Sequence, residues 1–179
     1  MARPVMTAKE VDDLARFCSR CKYDPLLFAE GAWEWGTGAL ADMDIRVWQA
    51  EILDTIATHL QDTETRHDPL FLSVASGHGI GKSASMGMIA NWAMSCYTGA
   101  RVVVTANTEG QLRTKTSPEI GHWFRTSVSA NVFDIDTMAI RPYQHADAAW
   151  SLDFVPWSEN NTEAFAGLHA QGRIVLLLM

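Results

Sequence analysis

Leu70-Phe71-Leu72-Ser73-Val74-Ala75-Ser76-Gly77-His78-Gly79-Ile80-Gly81-Lys82-Ser83 is the stretch on which the reading of this chain turns. Leu70 to Ala75 is a short apolar run, as expected of a strand buried on both faces. A glycine-rich loop follows, and residues from about Lys82 to Tyr97 read as a helix. The helix ends near Thr98-Gly99, where glycine suits a left-handed cap. Arg101 to Ala106 is the next apolar strand. Strand, loop, helix and strand in this order make a βαβ unit, which predicts two parallel strands and an α/β fold.

The loop has a chemistry of its own. A nucleoside triphosphate crowds negative charge that must be met by donors at short range. Glycines at 77, 79 and 81 let the backbone wrap closely and turn its N–H groups inward. The N-terminus of the following helix adds a favourable dipole. In such a loop Lys82 reaches the β- and γ-phosphates, and the Ser83 hydroxyl holds Mg²⁺. The usual pattern starts with glycine four residues before Gly-Lys-Ser/Thr, whereas here Ser76 stands in that place and Gly77 follows it. The competing reading is a glycine-rich turn with a chance lysine; the strand before the loop and the helix after it argue against that. His78 reads as a loop residue rather than a catalytic base.

Upstream, Ala8 to Cys21 looks helical, with Val11, Leu14, Ala15 and Cys18 at one-face spacing. An aromatic-rich segment follows, from Asp24-Pro25-Leu26-Leu27-Phe28 to Trp33, Trp35 and Gly36. A second helix is expected from about Ile45 to Leu60. Gln61 to Asp68 is polar and charged, a surface connection, so the chain divides into a helical N-terminal segment (1–68) and a core (69–179). Downstream, Glu109 to Val128 is helical with an interruption near Ser117-Pro118-Glu119, because serine followed by proline is a helix-start signal. Trp150 to Trp157 is a candidate strand, and Arg173 to Met179 reads as a buried one. Residues 129 to 165, apart from that candidate strand, give little signal.

The chain has 179 residues, 47% hydrophobic and 20% charged, which is a globular composition. Fourteen Lys and Arg against 21 Asp and Glu give a net charge of -7, which argues against a freestanding nucleic-acid-binding domain. No stretch approaches the roughly 18 apolar residues of a membrane helix, and the N-terminus lacks a signal-peptide core. A cytoplasmic location is expected. Cys18 and Cys21 form a CxxC pair without a second pair at zinc spacing, and read as two small helix residues.

With these elements in place, the chain resembles the large terminase subunit of tailed bacteriophages, the motor that pumps DNA into capsids. The serine-first loop Ser76 to Ser83 is the most specific element of the likeness. Asp24-Pro25 with Trp33, Trp35 and Gly36 looks like the family's N-terminal region, and Arg46-Val47-Trp48-Gln49 like its adenine-recognition element. Thr105-Ala106-Asn107-Thr108 with Gln111 resembles the motif after the second core strand. Phe165-Ala166-Gly167-Leu168 resembles the approach to the acidic motif. The resemblance implies a P-loop NTPase core of three αβα layers with a mainly parallel sheet. It implies ATP and Mg²⁺ as cofactors, with Ser76, Gly77, His78, Gly79, Ile80, Gly81, Lys82, Ser83 and Gln49 at the nucleotide, Lys82 as the catalytic cation and Ser83 on the metal. Thr105, Asn107 and Gln111 become candidates for coupling. Double-stranded DNA in the assembled motor, the terminase small subunit and the portal protein are the implied partners. Each residue also has a plainer reading: Gln49 as a solvated glutamine, Thr105 and Asn107 as loop and cap residues, Trp33, Trp35 and Trp48 as packing.

In the family an acidic pair directly after an apolar strand holds Mg²⁺ and activates the attacking water. The strand that would carry it, Ile174 to Met179, stands at the end of this chain, and the pair would fall from position 180 onward. Asp153 and Glu159 do not follow an apolar strand. The expectation is therefore an N-terminal fragment with its sheet incomplete at the C-terminal side, without the nuclease domain, hydrolysing ATP slowly or not at all. Arg113, Arg125 and Arg141 stand equal as a trans-acting arginine. The alternatives are a non-catalytic nucleotide-binding or assembly module and a helicase-like DNA-dependent ATPase.

Overall fold

Thr7 opens the first helix with a reciprocal cap: its hydroxyl accepts from the Glu10 backbone N–H, and the Glu10 carboxylate accepts from the Thr7 N–H at 2.7 Å. This helix, α1, spans Ala8–Arg20. In the computed structural model, which describes residues 5–75, 77, 79–143, 149–157 and 173–178, it is followed by α2 (Pro25–Ala32) and α3 (Val47–Gln61). α2 begins where Asp24 caps the Leu27 N–H and Pro25 takes the first helical turn. α4 spans Lys82–Cys96 and β1 spans Arg101–Ala106, with Gly99 at φ +75 in the reversal between them. A single turn, α5 (Glu109–Gln111), passes through a wider π turn at Leu112–Thr116 into α6 (Ser117–Arg125). Among the described residues four strands follow: β2 (Phe133–Ile135), β3 (Ala139–Pro142), β4 (Ser151–Pro156) and β5 (Ile174–Leu178).

The α/β class is what the structure shows, with a mixed five-stranded sheet in the order β2-β3-β4-β1-β5. Its centre is parallel: β1 pairs with β4 from Arg101↔Ser151 to Ala106↔Pro156, and with β5 from Arg101↔Ile174 to Thr105↔Leu178. The hairpin β2–β3 joins antiparallel through β3 to β4. Among the described residues only β1 has neighbours on both sides that run with it, and its Val102, Val103 and Val104 are all buried, which is why its sequence is apolar without alternation.

One expectation is corrected. Leu70–Ala75 forms no strand and joins no sheet; all six residues are exposed, Phe71 at 89%. The βαβ unit therefore lacks its first strand, and the parallel pairs of β1 are with β4 and β5. Apolar composition gives a segment the capacity for a strand, but a strand exists only where a neighbour supplies the ladder hydrogen bonds.

The N-terminal helices share one hydrophobic core with the sheet, running from Cys18 and Phe28 through Met88 and Trp92 to Val104 and Leu177. Indole donors tie the parts together: Trp33 Nε1 to the Trp123 carbonyl at 3.0 Å and Trp92 Nε1 to the Cys21 carbonyl at 2.9 Å. Trp33, Trp35 and Trp123 form one aromatic cluster with ring centroids 5.4–6.1 Å apart, a packing role for the first two. Cys18 and Cys21 are buried and unbridged. Burial pushes the Cys21 thiol up to about 11, further raised by Cys18 beside it.

Candidate functional site

The helix α4 and the strand β1 are joined by the short reversal Tyr97–Ala100, closed by the Ala100 N–H on the Tyr97 carbonyl at 3.1 Å. They run antiparallel and have similar length, about 22 Å for fifteen helical residues and about 20 Å for six strand residues. The first turn of α4 and the carboxyl ends of β1, β4 and β5 thus lie toward the same end of the fold. That is the end where ligands bind in open α/β sheets.

Gly79 and Gly81 both take left-handed backbone, at φ +73 and +92, and Gly81 is the residue from which α4 departs. Lys82 folds back over the loop, its Nζ donating to the Gly77 carbonyl at 2.8 Å. Ser83 sits half-buried in the first turn. Ser76 and His78, and the segment Phe165 to Leu168, lie outside the described residues.

The loop rests on the start of α3. Gln49 is buried at 3% exposure, and both ends of its amide are engaged. Oε1 accepts from the Arg46 N–H at 3.0 Å, and Nε2 donates to the Gly81 carbonyl at 3.0 Å. Arg46 Nη1 donates to the Ile80 carbonyl, also at 3.0 Å. Sequence reasoning placed Gln49 in the site but not Arg46; the element Arg46-Val47-Trp48-Gln49 contained both. Two consecutive carbonyls of the loop, those of Ile80 and Gly81, are thus occupied by side chains from the start of α3, and the Gly81 carbonyl also accepts from the Ser85 N–H in α4 at 3.1 Å.

Gly81 cannot be replaced cheaply. A Cβ there would stand 3.0 Å from Gln49 Nε2, on a backbone that L side chains rarely adopt. Gly81→Ala is expected to lower stability by about 1–2 kcal/mol, read as a shift in the urea midpoint. Gly77→Ala, which meets nothing within 4 Å and has no positive φ, is expected to leave the midpoint within experimental scatter.

At the strand ends, Thr105, Ala106, Asn107, Trp157 and Leu178 line an open cleft of about 150 Å³. Thr105 is 2% exposed, and its Oγ1 is buried without a hydrogen-bond partner. Asn107 is exposed beside it. The structure therefore brings Thr105 and Asn107 together and adds Trp157, whose N–H is held by the Ala106 carbonyl at 2.9 Å. Gln111 stands in the next turn, its N–H accepted by Thr108 Oγ1.

Of the three arginines, Arg141 is committed: it donates to the Leu152 carbonyl and ion-pairs with Asp153 at 2.5 Å. Asp153 also faces Arg101 at 3.4 Å and accepts from Ser151 Oγ at 2.9 Å. This carboxylate is a clasp on the sheet. Arg113 pairs with Glu109 on the surface, and Arg125 is exposed. Among the described residues no three His, Cys, Asp or Glu side chains gather as a metal site, and no helix is long and apolar enough to cross a membrane.

Comparisons with protein-family models, with curated proteins and with solved structures return no match.

Proposed function

We propose that the chain binds MgATP through the loop before α4, as the nucleotide-binding part of a DNA-packaging motor of the terminase type. The observation that carries this reading is the geometry from Gly79 to Ser83. Two left-handed glycines deliver the chain into a fifteen-residue helix, with Lys82 laid over the loop on the Gly77 carbonyl and the Ile80 and Gly81 carbonyls occupied by Arg46 and Gln49. Backbone N–H groups, the positive end of the helix and one ammonium then converge on the same place, which suits a polyphosphate. Lys82 would meet the β- and γ-phosphates and Ser83 would complete the coordination of Mg²⁺. Gln49, buried against Gly81 with both ends of its amide engaged, supports the loop from beneath, and would reach an adenine edge only by giving up one of these bonds. The metal's chemistry, when bound, is neutralisation of the phosphate charge.

Titration calorimetry with MgATP tests the proposal. Lys82→Ala is expected to weaken binding roughly 10–100-fold, about 1.5–3 kcal/mol, with unfolding unchanged in the absence of nucleotide. Equal affinity in the two proteins, or none in a folded wild type, would sink it.

A second reading, a binding or assembly module without turnover, is favoured by Leu70–Ala75, which leaves the loop anchored at α3 and α4 but not to the sheet. Phosphate release that depends on Lys82 would exclude it.

A further inference from the structure

The C-terminal turns of α1 and α4 meet at the end of α4 away from the loop, and both carry cysteine. Two hydrogen bonds fix how they meet. Trp92 Nε1 donates to the Cys21 carbonyl at 2.9 Å, and the Tyr97 hydroxyl donates to the Lys22 carbonyl. Cys96 lies one helical turn beyond Trp92 and next to Tyr97, while Cys18 lies one turn before Cys21 and Lys22. The two thiols are thereby brought side by side, and they hydrogen-bond to each other. All three cysteines are free. Cys18 and Cys21 are buried and Cys96 is half-buried, so the pair is reached from solvent through Cys96.

We propose that Cys18 and Cys96 are a redox-sensitive pair, joined on oxidation by a peroxide into a disulfide that straps α1 to α4. The nucleophile is Cys18. Its thiol is held below the ordinary cysteine value by the hydrogen bond from Cys96, against the opposing effect of burial, while the same bond and burial push Cys96 up. The Cys18 thiolate attacks hydrogen peroxide: an S–O bond forms, the O–O bond breaks, and hydroxide leaves. That hydroxide takes the Cys96 proton to give water, and the Cys96 sulfur attacks the Cys18 sulfenic acid. The S–S bond forms, the S–O bond breaks, and the departing hydroxide picks up the proton that Cys18 had released. Two electrons pass from the sulfurs to the peroxide, and two waters result. Cys21 is the competing partner, but it stands three residues from Cys18 at the end of the same helix. Side chains so spaced are about 5–6 Å apart at Cβ, against about 3.5–4.5 Å in a disulfide. Burial also pushes the Cys21 thiol up to about 11, which withholds the thiolate that exchange needs.

Loop length separates the two pairings. A Cys18–Cys96 bridge closes about 80 residues and should raise the urea midpoint by about 1–2 M, whereas a Cys18–Cys21 bridge closes about four and should hardly move it. The reduced 179-residue chain is treated with a small excess of hydrogen peroxide, its thiols are counted, and its peptides are mapped by mass without reduction. One free thiol should remain, on Cys21, and the peptides holding Cys18 and Cys96 should run as one linked species. Dithiothreitol should restore all three thiols and the original midpoint. Cys21→Ser should still form the bridge, and Cys96→Ser should not. Three surviving thiols, a linked Cys18–Cys21 pair, cross-links between chains only, or sulfinic acid in place of the disulfide would each overturn the proposal. The wild-type peptide map decides the matter even where a serine variant does not fold.

Discussion

Asn91→Ala should lower the unfolding free energy by about 3–5 kcal/mol, a large fraction of the total for a chain of this size. Asn91 is fully buried in α4, the helix that carries Lys82. Its Nδ2 donates to Ser127 Oγ at 2.8 Å and to the Trp123 carbonyl at 3.3 Å, and its Oδ1 accepts from Ser129 Oγ at 2.8 Å and Ser95 Oγ at 2.9 Å. Removing the amide deprives several buried groups of a partner at once. Each such loss costs about 1–3 kcal/mol where water cannot enter. The Trp123 carbonyl keeps Trp33 Nε1, and Ser127 and Ser129 keep each other at 2.9 Å, so the sum stays below the simple total. Chemical denaturation gives the number. Ser95→Ala, at the half-buried margin of the same network, should cost no more than about 1 kcal/mol. Equal effects at the two sites would show that volume, not hydrogen bonding, is what Asn91 contributes.

The same network separates what sequence reasoning reached from what it did not. The α4 helix, the β1 strand and the glycine between them follow from local chemistry: a continuous apolar run, a helical stretch, and Gly99 at φ +75 where a reversal needs it. β5 was legible as a strand for the same reason, but the burial expected of it was not borne out: Ile174, Leu176 and Leu178 are exposed and only Leu177 is buried. α2 should have been legible too, because Asp24-Pro25 is a cap followed by a first-turn proline. The hairpin β2–β3 was not, since its strands have three and four residues and carry Asp134 and Arg141. Leu70–Ala75 misled because its composition is that of a strand, while pairing depends on a neighbour that no local pattern reports. In the candidate site, Gly79, Gly81 and Lys82 announced themselves by type and spacing. The engagement of Gln49 and Arg46 with loop carbonyls more than thirty positions away did not, and neither did Trp157 beside Thr105. Those contacts belong to the packing of α3 and the sheet, not to any run of residues.

Gly87→Ala should destabilise the chain by about 2–3 kcal/mol, with the sign opposite to that of the same change in an ordinary helix. Within a helix, glycine replaced by alanine gains about 0.5–1 kcal/mol, because less backbone entropy is lost on folding. At Gly87 a Cβ would meet Trp123 Cδ1, Cγ and Cβ at 2.8, 2.8 and 2.9 Å, distances at which something must move. The atoms met are the rigid base of an indole, not a flexible end. Trp123 is 3% exposed, donates from Nε1 to Glu119 at 3.1 Å, and holds Trp33 and Trp35 at ring-centroid distances of 5.4 and 5.7 Å. Displacing it would open the contact between α4 and α6 and disturb the aromatic cluster on which the N-terminal segment sits. Overpacking of this kind costs about 1–3 kcal/mol, occasionally more. Gly110→Ala is the matched control, since Gly110 is helical and a Cβ there meets nothing within 4 Å; it should leave stability unchanged or raise it slightly. Thermal and urea unfolding of the pair would separate the two effects. If Gly87→Ala proves as stable as Gly110→Ala, then α4 and α6 have room to part, and the close approach of the two helices does not fix where the loop-bearing end of α4 stands.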